Sequence, residues 1–178
     1  TLSFYVAMNK RWKIADIGSG AGFPGIPLAI VFPNVEVTII DSLNKRIRFL
    51  DHLVQELGCS NVRCIHGRAE EIGQNTDYRE QFDIVTARAV ARLQILNEYC
   101  LPLVKVGGRF AAMKATDTDV EVQDAKRSLQ ILGGKIHQTY KFELPFEQAS
   151  REIIVIDKIK PTPKKYPRKP GQPAKQPL

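Results

Sequence analysis

Residues 14–27, Ile-Ala-Asp-Ile-Gly-Ser-Gly-Ala-Gly-Phe-Pro-Gly-Ile-Pro, constrain the fold of this chain more than any other stretch. Ile14, Ala15 and Ile17 read as a short buried strand, the glycines at 18, 20, 22 and 25 as a tight turn, and Ile26 onward as a helix. Glycine in such a turn allows positive φ and lets a ligand approach without meeting a Cβ. Pro24 and Pro27 suit a first helical turn, where a missing N–H costs nothing. The helix start adds free N–H donors and partial positive charge. Strand, turn and helix together place a nucleotide-like ligand at the carboxyl end of the first parallel strand.

The spacing bears on which ligand. A dinucleotide fingerprint counted from Gly18 needs glycine where Phe23 stands, and the turn has no lysine, which argues against a phosphate-binding P-loop. The run from Asp16 to Gly22, D-x-G-x-G-x-G, is instead similar to the pattern carried by class I S-adenosylmethionine-dependent methyltransferases. Turns of this composition also serve as purely structural bends, so the motif alone leaves both readings open.

Alternation of β-branched residues over 35–40 predicts a second strand, closed by Asp41. Asp41 lies 23 residues beyond Gly18, near the spacing of roughly 20 for an acid that accepts from ribose hydroxyls. Helix capping is the competing role, for which Ser42 is better placed. Leu43, Ile47, Leu50, Val54 and Leu57 predict a helix stopped at Gly58, with Lys45, Arg46 and Arg48 on the other face. A third strand over 61–66 leads into Gly67-Arg68-Ala69-Glu70-Glu71, where Ala69 and Glu70 either frame a base or form an ordinary acidic helix start. A fourth strand over 82–87 ends at Arg88, a cation suited to a carboxylate, phosphate or nucleobase, or to a plain ion pair. A helix over 93–104, a turn at Gly107-Gly108 and a fifth strand over 109–113 follow, with Lys114 at the strand's end facing the acceptor side of the cleft. An amphipathic helix over 119–132 precedes a terminal β-pair, 135–143 with 152–156. Seven strands alternating with helices predict an α/β fold: a mostly parallel, Rossmann-like sheet covered on both faces.

Charge is concentrated at one end. Residues 158–178 hold seven basic residues and no acid, which accounts for the whole net charge of +7. Six prolines from Pro161 onward predict an extended, semi-rigid arm at 159–178 rather than a helix. Lys164, Lys165, Arg168 and Lys169 suit RNA phosphates, and Tyr166 suits one stacked base; a merely disordered basic tail is the alternative. Three cysteines without metal-type spacing and three scattered histidines suggest reduced thiols, a cytoplasmic location and no metal site. No apolar run is long enough for a membrane span, and a monomer is expected. Leu2, Phe4, Tyr5 and Val6 read as the end of a helix, so residues 1–12 are expected to be the remnant of an amino-terminal helical segment ahead of a domain at 13–158.

Taken in order, Asp-Ile-Gly-Ser-Gly-Ala-Gly-Phe-Pro-Gly-Ile-Pro, Asp41-Ser-Leu-Asn-Lys-Arg-Ile-Arg-Phe-Leu, Gly-Arg-Ala-Glu-Glu, Ala87-Arg88-Ala89-Val90-Ala91 and the Lys-Lys-Tyr-Pro-Arg-Lys-Pro-Gly tail resemble the bacterial small-subunit ribosomal RNA guanine-N7 methyltransferases, the glucose-inhibited division protein B family. The resemblance covers essentially the whole chain. It implies the class I methyltransferase fold, S-adenosylmethionine as donor and one guanine of small-subunit RNA, alone or in the 30S subunit, as acceptor. Family cofactor contacts fall on Gly18, Phe23, Ala69, Glu70 and Arg88; Gly20 and Asp41 join them from the spacing above. Two departures are expected to matter: the amino-terminal helical segment is almost wholly missing, and Ala115 stands where relatives tend to have glycine.

The implied chemistry suits the residues. Guanine N7 has a lone pair and no proton, so it needs no general base, only alignment with the methyl donor. Cytosine-C5 transfer would need a nucleophilic cysteine at an active-site strand end, and amino-group transfer an Asn/Asp-Pro-Pro-aromatic run where Thr86-Ala87-Arg88-Ala89 stands. Arg88 and Lys114 are the candidates for positioning the acceptor, since cations are the usual partners of guanine's acceptor edge. A nicotinamide oxidoreductase, a small-molecule or other RNA methyltransferase, and a non-catalytic RNA-binding module are the competing readings.

Overall fold

The computed structural model describes residues 11–115, 118–146 and 148–178, so nearly all of the expected amino-terminal remnant lies outside the described residues. In chain order the elements are β1 (Lys13–Ile17), α1 (Gly25–Val31), β2 (Glu36–Asp41), α2 (Asn44–Glu56), β3 (Val62–His66), α3 (Ala69–Ile72) and β4 (Phe82–Arg88). They continue as α4 (Leu93–Cys100), β5 (Val104–Lys114), α5 (Asp119–Asp124), α6 (Lys126–Leu132), β6 (Gly134–Glu143), β7 (Ser150–Lys158) and α7 (Gln172–Lys175).

The strands form one sheet in the order β3-β2-β1-β4-β5-β7-β6. The first five are parallel, and β7 runs antiparallel between β5 and β6. Strand order reverses between β1 and β4, the crevice where open α/β sheets take ligands. Successive residues of a strand face opposite sides, and both sides here are buried. Ile14, Val37, Ile39 and Ile84 pack with Ile26, Leu28, Ile47 and Leu50 of α1 and α2. Ala15, Ile17, Ile40, Val85 and Ala87 pack with Leu93, Leu96, Leu129 and Leu132 of α4 and α6 on the other side. Each such aliphatic side chain contributes roughly 1.5–3 kcal/mol on burial. None of the described helices is long and apolar enough to cross a membrane.

The structure corrects three expectations from sequence. The Gly107-Gly108 pair is no turn: α4 stops at Cys100, and β5 runs unbroken from Val104 to Lys114 through both glycines. Gly107, at φ +84°, kinks the strand where its register against β4 shifts, and a Cβ on Gly108 would stand 2.7 Å from the Asp83 carbonyl oxygen. The helix expected over 119–132 breaks into α5 and α6 at the fully buried Ala125.

The third correction is the tail, which is no extended arm. It folds back on the domain, with Thr162 and Tyr166 buried at 4% and 7% exposure. Its prolines cannot donate to a ladder, so side chains elsewhere serve its carbonyls. Arg79 donates to the oxygens of Tyr166 (2.7 Å) and Thr162 (2.8 Å), and Gln74 to that of Pro167 (2.7 Å). Despite its prolines the segment closes one helical turn, α7, with Pro173 at the helix start.

Candidate active site

Asp16 organises the glycine turn. Its carboxylate is fully buried in β1 and accepts from the Ser19 hydroxyl (2.5 Å), the Gly25 backbone N–H (2.9 Å) and the Thr86 hydroxyl of β4 (2.9 Å). Burial raises its pKa above the ordinary carboxylate value, against the opposing pull of those hydrogen bonds. Two strands, the turn and the first residue of α1 are thereby fixed to one group. Gly18 adopts φ +66° and donates to the Ile40 oxygen at 2.8 Å, tying the turn to the end of β2. A Cβ on Gly18 would reach 2.7 Å from a methyl of Val90, whereas one on Gly20 would meet nothing within 4 Å.

A cleft of about 390 Å³ opens beside this turn at the carboxyl ends of β1, β2 and β3. Gly18, Asp41, Ala69 and Glu70 line it, with Val90 and Tyr99. Asp41 is 3% exposed; one oxygen accepts from the Leu43 N–H at 2.9 Å and the other lies 3.3 Å from the Arg46 guanidinium. Asp41 thus lines the cleft at the end of β2, and the helix-cap position expected at Ser42 falls instead on Leu43, which has no side-chain cap. A carboxylate with lone pairs to spare, a glycine floor that a side chain would fill and small aliphatic walls fit the adenosine of S-adenosylmethionine.

A second hollow of about 570 Å³ lies at the ends of β4 and β5, lined by Arg88, Lys114 and Arg151 together with Met113, Phe142 and Leu144. Ala89, a non-glycine residue held at φ +55°, lines both hollows. Backbone in this left-handed region costs roughly 1–3 kcal/mol and clusters at functional sites. Another space of about 560 Å³ opens by Lys13, Glu36, Val62 and Phe82, at the amino ends of the strands, the wrong edge for an α/β ligand site.

A family model described as rRNA small subunit methyltransferase G, GidB, matches residues 1–154. The chain belongs to the GidB family. This GidB-family chain is 56% identical to "Ribosomal RNA small subunit methyltransferase G" of Lysinibacillus sphaericus, across 99% of its own length and 74% of the relative's. It is 54% identical to the same-named protein of Staphylococcus aureus strain Newman, across 99% and 73%. Among solved structures it is similar to a SAM-dependent methyltransferase from Methanosarcina mazei (TM-score 0.69, 13% identity, 89% of this chain and 98% of that one). It is also similar to precorrin-6y C5,15-methyltransferase from Geobacter metallireducens (TM-score 0.61, 15% identity, 85% and 81%). At such identities the likeness is one of fold, and the fold is the class I Rossmann-like one expected.

The GidB-family residues singled out from sequence divide between the two hollows. Gly18, Asp41, Ala69 and Glu70 share the first, and Arg88 and Lys114 the second. Gly20 lies in the turn and Phe23 beside it, 52% exposed, with Arg88 donating to the Phe23 oxygen at 3.3 Å and standing 5.9 Å from its ring centroid. Lys114 is held inward: it pairs with Glu121 at 2.6 Å, donates to the Ala91 oxygen at 2.8 Å and is 10% exposed. Of the RNA-binding candidates on the tail, Lys164, Lys165 and Lys169 are exposed. Arg168 is not available in that way, because it is bonded to the buried Glu98 at 2.7 Å, and Tyr166 is too buried to stack a base. Asp16, Tyr99, Arg151 and Ala174 were not foreseen as site residues; only Asp16, the first letter of the glycine motif, carried a sequence signal.

Among the described residues neither hollow is lined by a cysteine. Burial and the neighbouring Asp51 push the Cys64 thiol up to about 12, and Cys100, fully buried, is raised as well.

Proposed function

We propose that this chain transfers the methyl group of S-adenosylmethionine to N7 of a guanine in small-subunit ribosomal RNA. The observation that carries the reading is the pair of hollows meeting at Ala89, one floored by glycine with a carboxylate at its side, the other lined by three cations, Arg88, Lys114 and Arg151, with Glu121 and Glu152 among them and an apolar base of Met113, Phe142 and Leu144. S-adenosylmethionine supplies, when bound, a methyl carbon made electrophilic by its sulfonium.

Asp41 would accept from the ribose hydroxyls, and Ala69 and Glu70 would border the adenine. Gly18 and Gly20 would let the backbone approach the donor closely, with Phe23 beside them. Arg88, at the end of β4 on the lining of the second hollow, would donate to the guanine acceptor edge. Lys114 would act one step back, fixing the loop at Ala91 and the start of α5 at Glu121 around the base. Among the described residues the second hollow is lined by neither histidine nor cysteine, and N7 needs neither, since no proton has to leave before it attacks. Rate enhancement would then come from orientation of the two partners. Lys164, Lys165 and Lys169 would add salt-sensitive phosphate contacts. The domain would run over residues 13–158, with the tail at 159–178 packed upon it; the protein would act as a cytoplasmic monomer on ribosomal RNA or the 30S subunit.

Incubation of ribosomal RNA from a strain lacking the protein with methyl-labelled S-adenosylmethionine tests the reading. Label is expected in one guanine of the small-subunit RNA, and that position should become sensitive to reduction and aniline cleavage, as N7-methylation makes it. Label on another base, or on small molecules alone, overturns it.

A further inference from the structure

Residues 159–178 are anchored to the helices that wall the first cleft. Arg168 gives its backbone N–H (2.8 Å), Nε (2.9 Å) and Nη2 (2.7 Å) to Glu98 of α4, a carboxylate with 1% exposure. A buried carboxylate needs such a partner, because charge removed from water without one is costly. Three residues on, Gly171 turns the chain at φ +81° and donates its N–H to Oε1 of Glu70 in α3 at 2.9 Å. The turn that follows, α7, sets Ala174 on the wall of the cleft that Gly18 and Asp41 line. Tyr99, next to Glu98 on α4, belongs to the same wall. Glu70 thus borders the cleft while one of its oxygens is occupied by the tail.

We propose that the carboxyl-terminal segment is part of the cofactor site: Gly171 positions Glu70, Ala174 completes the wall, and docking of the tail is thermodynamically linked to cofactor binding. This rests on the reading that the cleft takes S-adenosylmethionine. Linkage is reciprocal, so a docked tail that tightens the cofactor by some factor must itself be held tighter by that factor when cofactor binds. Ala174 contributes shape and Gly171 one hydrogen bond to a carboxylate; neither touches the reacting atoms, so both are positioning residues.

Calorimetric titration of the 178-residue chain with S-adenosylmethionine, paired with hydrogen exchange at the Gly171 amide, tests the linkage. Arg168→Ala is expected to speed exchange at Gly171 and to weaken cofactor binding by on the order of tenfold. Saturating cofactor is expected to slow the same amide in the unaltered chain. Ala174→Trp serves where Arg168→Ala folds poorly: it should weaken binding while Gly171 exchange without cofactor stays as in the parent chain. An Arg168→Ala chain with a freed Gly171 amide and parental affinity overturns the proposal, as does a cofactor that leaves that amide unchanged. An absence of binding to the parent chain overturns the cofactor reading itself, and this one with it.

Discussion

Asp16 and Thr86 sit opposite one another in the register of β1 and β4, and the Thr86 hydroxyl donates to the Asp16 carboxylate at 2.9 Å across the point where strand order reverses. The same carboxylate holds Ser19 and the start of α1. Truncation to alanine would orphan three donors in a dry site, each worth about 1–3 kcal/mol when left unmade, less the relief of an ionised group's burial. Asp16→Ala is expected to lower stability by about 2–3 kcal/mol and to weaken S-adenosylmethionine binding, because the turn loses its fixed shape. Urea unfolding of the two proteins measures the first effect; coincident midpoints would show that Asp16 is dispensable.

Asp41 differs in being one of the lining groups of the cleft. Its removal takes away an acceptor from the ligand more than from the fold, whose local cost is the Leu43 and Arg46 contacts. Asp41→Ala is expected to weaken cofactor affinity by about 1–3 kcal/mol, read by calorimetry, with the urea midpoint shifted far less. Unchanged affinity would remove the ribose assignment.

Lys158 makes stability depend on alkaline pH. Its ammonium is wholly buried, bonded to the Leu101 and Val104 oxygens and the Thr162 hydroxyl, and 3.0 Å from Glu80, yet burial lowers its pKa from 10.5 to about 8. Between pH 8 and 10.5 the unfolded chain keeps this proton and the folded chain releases it, so its contribution to stability rises with pH across that window and falls away as pH drops through 8. The stability of the parent chain minus that of Lys158→Met is expected to rise by about 2–3 kcal/mol from pH 7.5 to 10.5. A flat difference from paired denaturation curves would mean that the lysine keeps its ordinary proton affinity.

Ala89 holds positive φ without being glycine. Ala89→Gly should relieve roughly 1 kcal/mol of backbone strain while loosening the segment between the two hollows. Urea unfolding is expected to show a chain at least as stable, and single-turnover assays a methyl transfer slowed by roughly tenfold or more. An unchanged rate would make the strain incidental.

Local physics made the first half of the fold legible. Alternation at Val37, Ile39 and Ile40, apolar spacing from Ile47 to Leu50, and glycines at positive φ declare their structure within a few residues, so β1, α1, β2 and the position of Asp41 followed from them. Gly107-Gly108 misled because a turn and a kinked strand ask the same backbone freedom of glycine, and only the neighbouring Asp83 carbonyl decides between them. The tail misled for a different reason: its partners are remote, with Glu98 70 residues from Arg168, Arg79 87 from Tyr166, and Glu70 101 from Gly171. Composition counted Lys158 in the basic stretch and read Arg168 as a charge for RNA phosphates. The structure commits one to carbonyls in the core and the other to a buried carboxylate.

Because Ala89 forms part of both hollows, donor and acceptor would share a partition made of main chain. Each hollow keeps rotatable side chains of its own, Tyr99 in one and Arg151 in the other, while the wall they share has none. The angle of attack would therefore be inherited from strand β4 itself, and evolution could retune what each chamber holds far more readily than how the two are aimed.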